Sequence, residues 1–375
     1  MIGSTQHELV IAGLFVLLAG AVWLERTRLG SLVPGPAIML LGGAILSNIG
    51  VMPRESAAYT EVIRIVVPVG VFLLLLRADL WRIIRETGAI LRLYLIGAAA
   101  SIAGVLLAFL LIPVPEATKV AAIQTANLVG GTVNVVAVAQ AVGLQPVVFT
   151  AMMAGGAIIM NVYVTGIGLL ANNGAMQRWL PDREPVEVGE PNPALPAPTP
   201  KPAIDHLQIA LLVAGSFAAY VACELGLVAI GRPELIIIAV SLVALVVANL
   251  APKQVLRLNG DQELGGLLMY LFFGALGLQV DFRELGGPAA AIAGFIALAM
   301  ATHLVVMMLV GKLLRASLGE VLIGSLAGVA GPTTAAAMAA SLGYKDLITP
   351  GLLSGLLGFA IATFVALGLY GVLPG

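Results

Sequence analysis

The stretch Asn127–Leu144, NLVGGTVNVVAVAQAVGL, sets Asn127, the pair Gly130–Gly131, Thr132, Asn134 and Gln140 in otherwise apolar surroundings. A second stretch, SLAGVAGPTTAAAMAASLGY at 325–344, carries Gly331–Pro332 followed by Thr333 and Thr334. Proline removes a backbone donor and clashes with the preceding turn, so helices break there, and glycine relaxes the backbone. In hydrocarbon, a broken helix survives only where protein or a water-filled cavity surrounds the break. Two chemistries then sit side by side. The half-helix that starts at the break carries partial positive charge at its N-terminus and attracts anions. The carbonyls freed at the break, with nearby side-chain oxygens, suit a hard cation such as Na⁺. Gly/Pro-interrupted segments at corresponding positions of two halves are the sequence pointer to a transporter's binding site. The candidate contacts are Gln124, Asn127, Gly130, Gly131, Thr132, Asn134, Gly331, Thr333 and Thr334, with Asn161 from the following helix. Small residues also let membrane helices pack closely, so one segment alone would say little. The matched pair carries the reading.

One titratable side chain lies deep in an apolar run: His303, in ALAMATHLVVMML. Histidine titrates near neutrality, so His303 is the candidate for proton coupling. The plainer reading is a neutral histidine bonded to a neighbouring helix. The helix after the first break, AMMAGGAIIMNVYVTG, has Asn161 but no carboxylate, which disfavours a proton-exchanging site. Asp79 and Asp281 read as helix caps, Glu224 as an interface or loop residue, and Cys223 as a small hydrophobe. No phosphate-binding glycine loop, His/Cys cluster or Ser-His-Asp spacing occurs. No ATP, metal cofactor or enzymatic activity is expected; the one candidate ion is Na⁺.

The elements that must position these residues follow from composition. Of 375 residues 60% are hydrophobic and 10% charged, against about 25% charged in a soluble domain. This predicts an all-α polytopic membrane protein in the inner (plasma) membrane. The net charge of −1 offers no surface for nucleic acid. Apolar runs fall at 8–23, 34–52, 62–78, 89–112, 118–142, 147–171, 206–229, 234–250, 264–280, 288–311, 318–342 and 347–372. The N-terminus lacks a basic leader, so the first run reads as a retained helix. Trp23, Trp81 and Trp179 fall at run ends, as interfacial anchors do. A Pro-rich stretch within 173–204 reads as a linker between a first repeat, 1–172, and a second, 205–375. Asp79 and Asp281 are 202 residues apart, and Gly131 and Gly331 are 200 apart. Arg26/Arg28, Arg77–Arg92, Lys253/Arg257 and Lys312/Arg315 all read as cytoplasmic loops. That pattern makes the halves inverted, and inversion needs four or six spans between Arg85 and the 264–280 run, where the runs supply five. The expected resolution is that one run within 206–250 does not cross, giving 11 rather than 12 spans.

The arrangement resembles the bile-acid/sodium symporter and cation/proton antiporter superfamily. NLVGGTVN is similar to the symporters' Gly-Gly-Thr-x-x-Asn crossover, with the Asn one residue closer. LLLLRADLWRIIRETG with LVGGTVNVVAVAQAVG is similar, over nearly the whole chain, to the domain-of-unknown-function 819 family. The resemblance implies a core (62–171 and 264–372) moving against a scaffold, a homodimer, and Na⁺ held by Thr132 and Asn134. The symporters' Glu and Gln before the second crossover fall at about Leu326 and Ala330, both apolar. The expected function is secondary active transport of a small polar or anionic solute. A proton or cation pathway using His303, and a non-transporting membrane scaffold, are the alternatives.

Overall fold

The computed structural model describes residues 2–27, 35–182, 205–255, 257–285 and 289–374. Most of the expected linker, 183–204, lies outside them. The first half comprises α1 (His7–Glu25), α2 (Gly35–Asn48), α3 (Ala57–Leu75), α4 (Leu80–Glu86), α5 (Gly88–Leu111), α6 (Ala117–Gly130), α7 (Thr132–Val142), α8 (Pro146–Ala171) and α9 (Gly174–Trp179). The second comprises α10 (His206–Ala229), α11 (Ile236–Leu250), α12 (Pro252–Val255), α13 (Asp261–Leu278), α14 (Phe282–Leu285), α15 (Ala289–Leu313), α16 (Leu318–Val329), α17 (Pro332–Ser341) and α18 (Ile348–Val372). Long helices recur in the same order: α5 starts at 88 and α15 at 289, α6 at 117 and α16 at 318, α7 at 132 and α17 at 332.

Among the described residues, eight helices are long and apolar enough to cross a membrane. Both helices of 206–250 are among them, so neither is too short or too polar to cross, contrary to the shortfall expected there. The runs 118–142 and 318–342 are instead the ones that do not form a single straight helix, because each folds back on itself. In the first, Lys119 Nζ donates to the Gly143 carbonyl at 2.9 Å and Glu116 Oε2 accepts from the Gln145 N–H at 3.0 Å. A continuous helix would hold those residues about 36–44 Å apart. In the second, Gly319 lies against the Tyr344 ring. Asp182 ties the base together, accepting from the Gly319 N–H at 3.0 Å and the Tyr344 hydroxyl at 3.1 Å. Burial and the Asp182 charge push the Tyr344 phenol's pKa up. Both runs are therefore helical hairpins, α6–α7 and α16–α17, and not straight crossover helices.

α3 packs antiparallel to α13, and α5 to α15. At the end of α3, Arg77 pairs with Asp261 at the start of α13 (2.6 and 2.7 Å), and Gln262 Nε2 donates to the Leu74 carbonyl at 3.2 Å. Hydrogen bonding to Asp261 raises the Arg77 pKa. Along α5 and α15, Gly104 faces Ala299 and Gly97 faces His303 and Met307. These contacts fix which ends coincide. Arg77, Arg82 and Arg85 share one end of the molecule with the start of α10, where Gln208 bonds the Arg257 carbonyl, and with the end of α15. α1 runs antiparallel to α13, with Leu14 against Gly274 and Glu25 accepting from Tyr270, so Arg26 at its end points toward the same side as the start of α13. The base of α6–α7 lies at the far end and that of α16–α17 at this basic end.

The helices fall into two packed groups. One comprises α1–α3 and α10–α13. The other comprises α5–α8 and α15–α18. α3 and α13, expected in the core, pack most extensively on each other and on α2 and α11.

Candidate functional site

Each hairpin reverses at a glycine whose backbone a side chain would strain: Gly131 has φ 71°, ψ −171°, and Gly331 has φ 84°, ψ 173°. This corner of conformational space is essentially restricted to glycine. The tips meet inside the second group, where a Cβ at Gly328 would stand 3.1 Å from the Leu128 carbonyl oxygen.

The first tip is closed by side chains. The last carbonyls of α6 have no helical partner, and each receives a donor. The Gly131 N–H reaches Asn127 O (2.9 Å), Ser101 Oγ reaches Leu128 O (3.4 Å), Tyr94 Oη reaches Val129 O (2.9 Å) and Asn134 Nδ2 reaches Gly130 O (3.0 Å). Asn134 Oδ1 in turn accepts from Thr363 Oγ1 on α18 at 2.7 Å. Asn134 is thus a buried strut between tip and α18.

The second tip is different. The Ala330 N–H reaches Leu326 O at 2.9 Å, but among the described residues no donor reaches the carbonyls of Ala327, Gly328 or Val329. Ser354 lies on the adjoining face of α18, between Gly351, which meets Ile323 and Ala335, and Gly358, which meets Tyr94 and the Val129 carbonyl. It is fully buried, and among the described residues its hydroxyl has no partner. Glu320, the hairpin's carboxylate, sits at the base in a capping box with Ser317.

The other candidates divide. Thr132 and Thr333 are exposed at the starts of α7 and α17, with Thr334 and Asn127 half-buried. Gln124 is buried in α6, and its Nε2 has no partner among the described residues. Asn161 is not brought to the tips; it lies on an exposed stripe of α8 with Ile158, Val162 and Leu169.

His303 sits beneath the hairpins, 1% exposed. Its Nδ1 is 3.0 Å from the Gly97 carbonyl, which can only accept, so Nδ1 carries the proton. Ser101 Oγ lies 2.8 Å from the same nitrogen. Nε2 then accepts from Ser325 Oγ at 2.9 Å, and Ser325 lies 2.5 Å from the Tyr163 hydroxyl. Every partner is neutral, and the chain Tyr163–Ser325–His303–Ser101 ends on the Leu128 carbonyl. Asp79 caps α4, accepting from the Arg82 N–H at 3.0 Å. Asp281 pairs with Arg54 at 2.6 Å, and Glu224 pairs with Arg64. Tyr94, Ser101, Thr363 and Ser354 are absent from the sequence-based candidates. Only their places on neighbouring helices make them relevant.

This geometry defines a multi-pass α-helical membrane protein with two opposed, glycine-broken hairpins. The chain belongs to the family described as "Protein of unknown function (DUF819)", whose model matches residues 12–373. It is 31% identical over 359 residues to the "Uncharacterized membrane protein YjcL" of Bacillus subtilis (strain 168), covering 91% of this chain and 90% of that protein.

Proposed function

We propose that the chain is a secondary active transporter, not an enzyme, that moves a small polar or anionic solute across the inner membrane by alternating access. The observation that carries this reading is the meeting of two glycine-broken hairpins, inserted from opposite ends, at Leu128 and Gly328. Irregular backbone at membrane depth is tolerated where it is buried or lines a water-filled site. The antiparallel pairing of α3 with α13 and of α5 with α15 supports inverted repeats. A two-fold axis in the membrane plane sets equivalent helices antiparallel, and an axis along the normal sets them parallel. With each hairpin returning to its own side, four crossings separate α3 from α13, the number that inversion needs. The basic end is then cytoplasmic.

On this reading α5–α8 and α15–α18 move against a scaffold of α1–α3 and α10–α13, through which the resemblance implies a homodimer. α7 packs on α3, whereas α17 makes no comparable contact with α13 and leaves Thr333, Ala337 and Ser341 exposed. On this reading the exposed face of α17 is the solute's way in, from the cytoplasmic end. The solute meets the N-termini of α7 and α17 at Thr132, Thr333 and Thr334, beside Asn127. The coupling ion is Na⁺, held by the unpaired carbonyls of the second tip and the Ser354 hydroxyl. His303, ringed by neutral groups, has no proton-coupling role.

The test is thermal unfolding in NaCl, KCl and choline chloride at equal ionic strength. A ligand specific to the folded state contributes RT ln(1 + [L]/Kd), about 2.7 kcal/mol at a hundred-fold excess over Kd. A Na⁺-specific rise in midpoint that Ser354→Ala abolishes is the expected result. Identical curves in all three salts would remove Na⁺ coupling. For the cavity, cysteine at Thr132 or Thr333, with Cys223→Ser, should react with a water-soluble thiol reagent. Failure at both positions would favour the non-transporting scaffold.

A further inference from the structure

A groove of about 490 Å³ runs along the outside of α1, lined by Phe15, Leu18, Ala19, Val22, Trp23 and Arg26, with Leu267 of α13 as its other wall. We propose that this groove binds a phospholipid of the cytoplasmic leaflet, with an acyl chain against the apolar wall and an anionic headgroup on Arg26. The α1 residues recur at helical spacing, so they form one stripe. From Phe15 to Arg26 the stripe rises about 16 Å. That is roughly half of the ~30 Å hydrocarbon core, the depth of a single leaflet. Arg26 closes the stripe at the basic end, exposed, and among the described residues its guanidinium has no ion pair or hydrogen bond. The carboxylate next to it does not neutralise it by direct contact: Glu25 accepts from Tyr270 Oη at 3.0 and 3.1 Å and from the Gly35 N–H. Trp23, 66% exposed, sits one turn inward, at the level where indoles favour the headgroup boundary. The matching place in the second half is built otherwise. Two hundred residues on, Gly226 stands for Arg26, Cys223 for Trp23 and Gly215 for Phe15. There Arg64 of α3 reaches across to Tyr220 and Glu224 of α10. The free guanidinium above an apolar stripe is thus particular to α1.

The experiment compares phosphatidylglycerol with phosphatidylcholine of the same acyl chains, added to the full-length protein in detergent. Thermal midpoint and native mass spectrometry of retained lipid are the readouts. Phosphatidylglycerol should raise the midpoint more than phosphatidylcholine and be retained preferentially. Arg26→Gln should abolish that difference, and so should Ala19→Phe, which fills the groove, while both keep the wild-type midpoint in phosphatidylcholine. Arg92→Gln removes another exposed charge near the basic end and should leave the difference intact. Equal effects of the two lipids on wild type would overturn the proposal, as would a difference that survives Arg26→Gln or is lost equally in Arg92→Gln. A dimer-to-monomer change in Ala19→Phe without a lipid effect would assign the groove to a second copy and overturn it too. None of these outcomes depends on transport or on Na⁺.

Discussion

At the scale of single residues, Asn134 is a strut before it is anything else. Asn134→Ala leaves the Gly130 carbonyl and the Thr363 hydroxyl without their partner, and an unpaired buried polar group costs about 1–3 kcal/mol. The expected outcome is a lower unfolding midpoint by the same amount in NaCl, KCl and choline chloride. A loss seen only in NaCl would return the ion to the first tip. Thr363→Ala should cost less, and the double variant less than the sum, since the two side chains share one bond. For His303, removal empties a filled space and takes one partner each from Ser101, Ser325 and the Gly97 carbonyl. His303→Ala should lower the midpoint at acidic and neutral pH alike; a deficit confined to one of them would mark the ring as titrating. The sequence made Asn134 conspicuous by its polarity in an apolar run but could not say whether it is free. That depends on Thr363, which is 229 residues away.

Among the elements, the hairpins decide the topology. Replacing Gly131 or Gly331 by alanine forces a side chain into a backbone corner that costs of the order of 1–3 kcal/mol. Midpoint loss for both, with Gly266→Ala near neutral because open space surrounds Gly266, would confirm that the reversals need glycine. A sharper test pairs cysteines at Glu116 and Gln145 in a Cys223→Ser background. The hairpin predicts ready disulfide formation, which a continuous helix would forbid. The breaks themselves were legible, because Gly-Gly loosens a helix and Gly-Pro removes one of its hydrogen bonds. Their consequence was not. Glycine reports that the backbone turns, while the new direction depends on Lys119 meeting Gly143 and Gly319 meeting Tyr344. An apolar run of 25 residues reads as one span whether or not it doubles back. The same ambiguity moved the missing crossing from 206–250, where both helices are full length, to 118–142.

For the whole molecule, the prediction concerns sides. Cysteine at Gln145 should be labelled by an impermeant reagent from outside the cell, and cysteine at Asp346 only from the cytoplasm. Labelling of both from one side would break the opposed insertion of the hairpins. Class and approximate span positions were readable from hydropathy alone, since bilayer thickness dictates helix length. The clustering of Arg26, Arg77–Arg92, Lys253/Arg257 and Lys312/Arg315 was readable too, because those loops lie at one end. The packing of α3 and α13 with α2 and α11 was not, since both faces of each helix are apolar and only packing distinguishes them. The contact of Ser101 with His303 carries a last implication. Under the inverted-repeat reading, these positions, 202 residues apart, are counterparts that face each other across the axis. Two identical subunits would confront each such residue with itself, serine with serine or histidine with histidine. A hydrogen bond between unlike counterparts is closed to identical subunits and open to halves whose sequences can change separately, as the two halves of this polypeptide can.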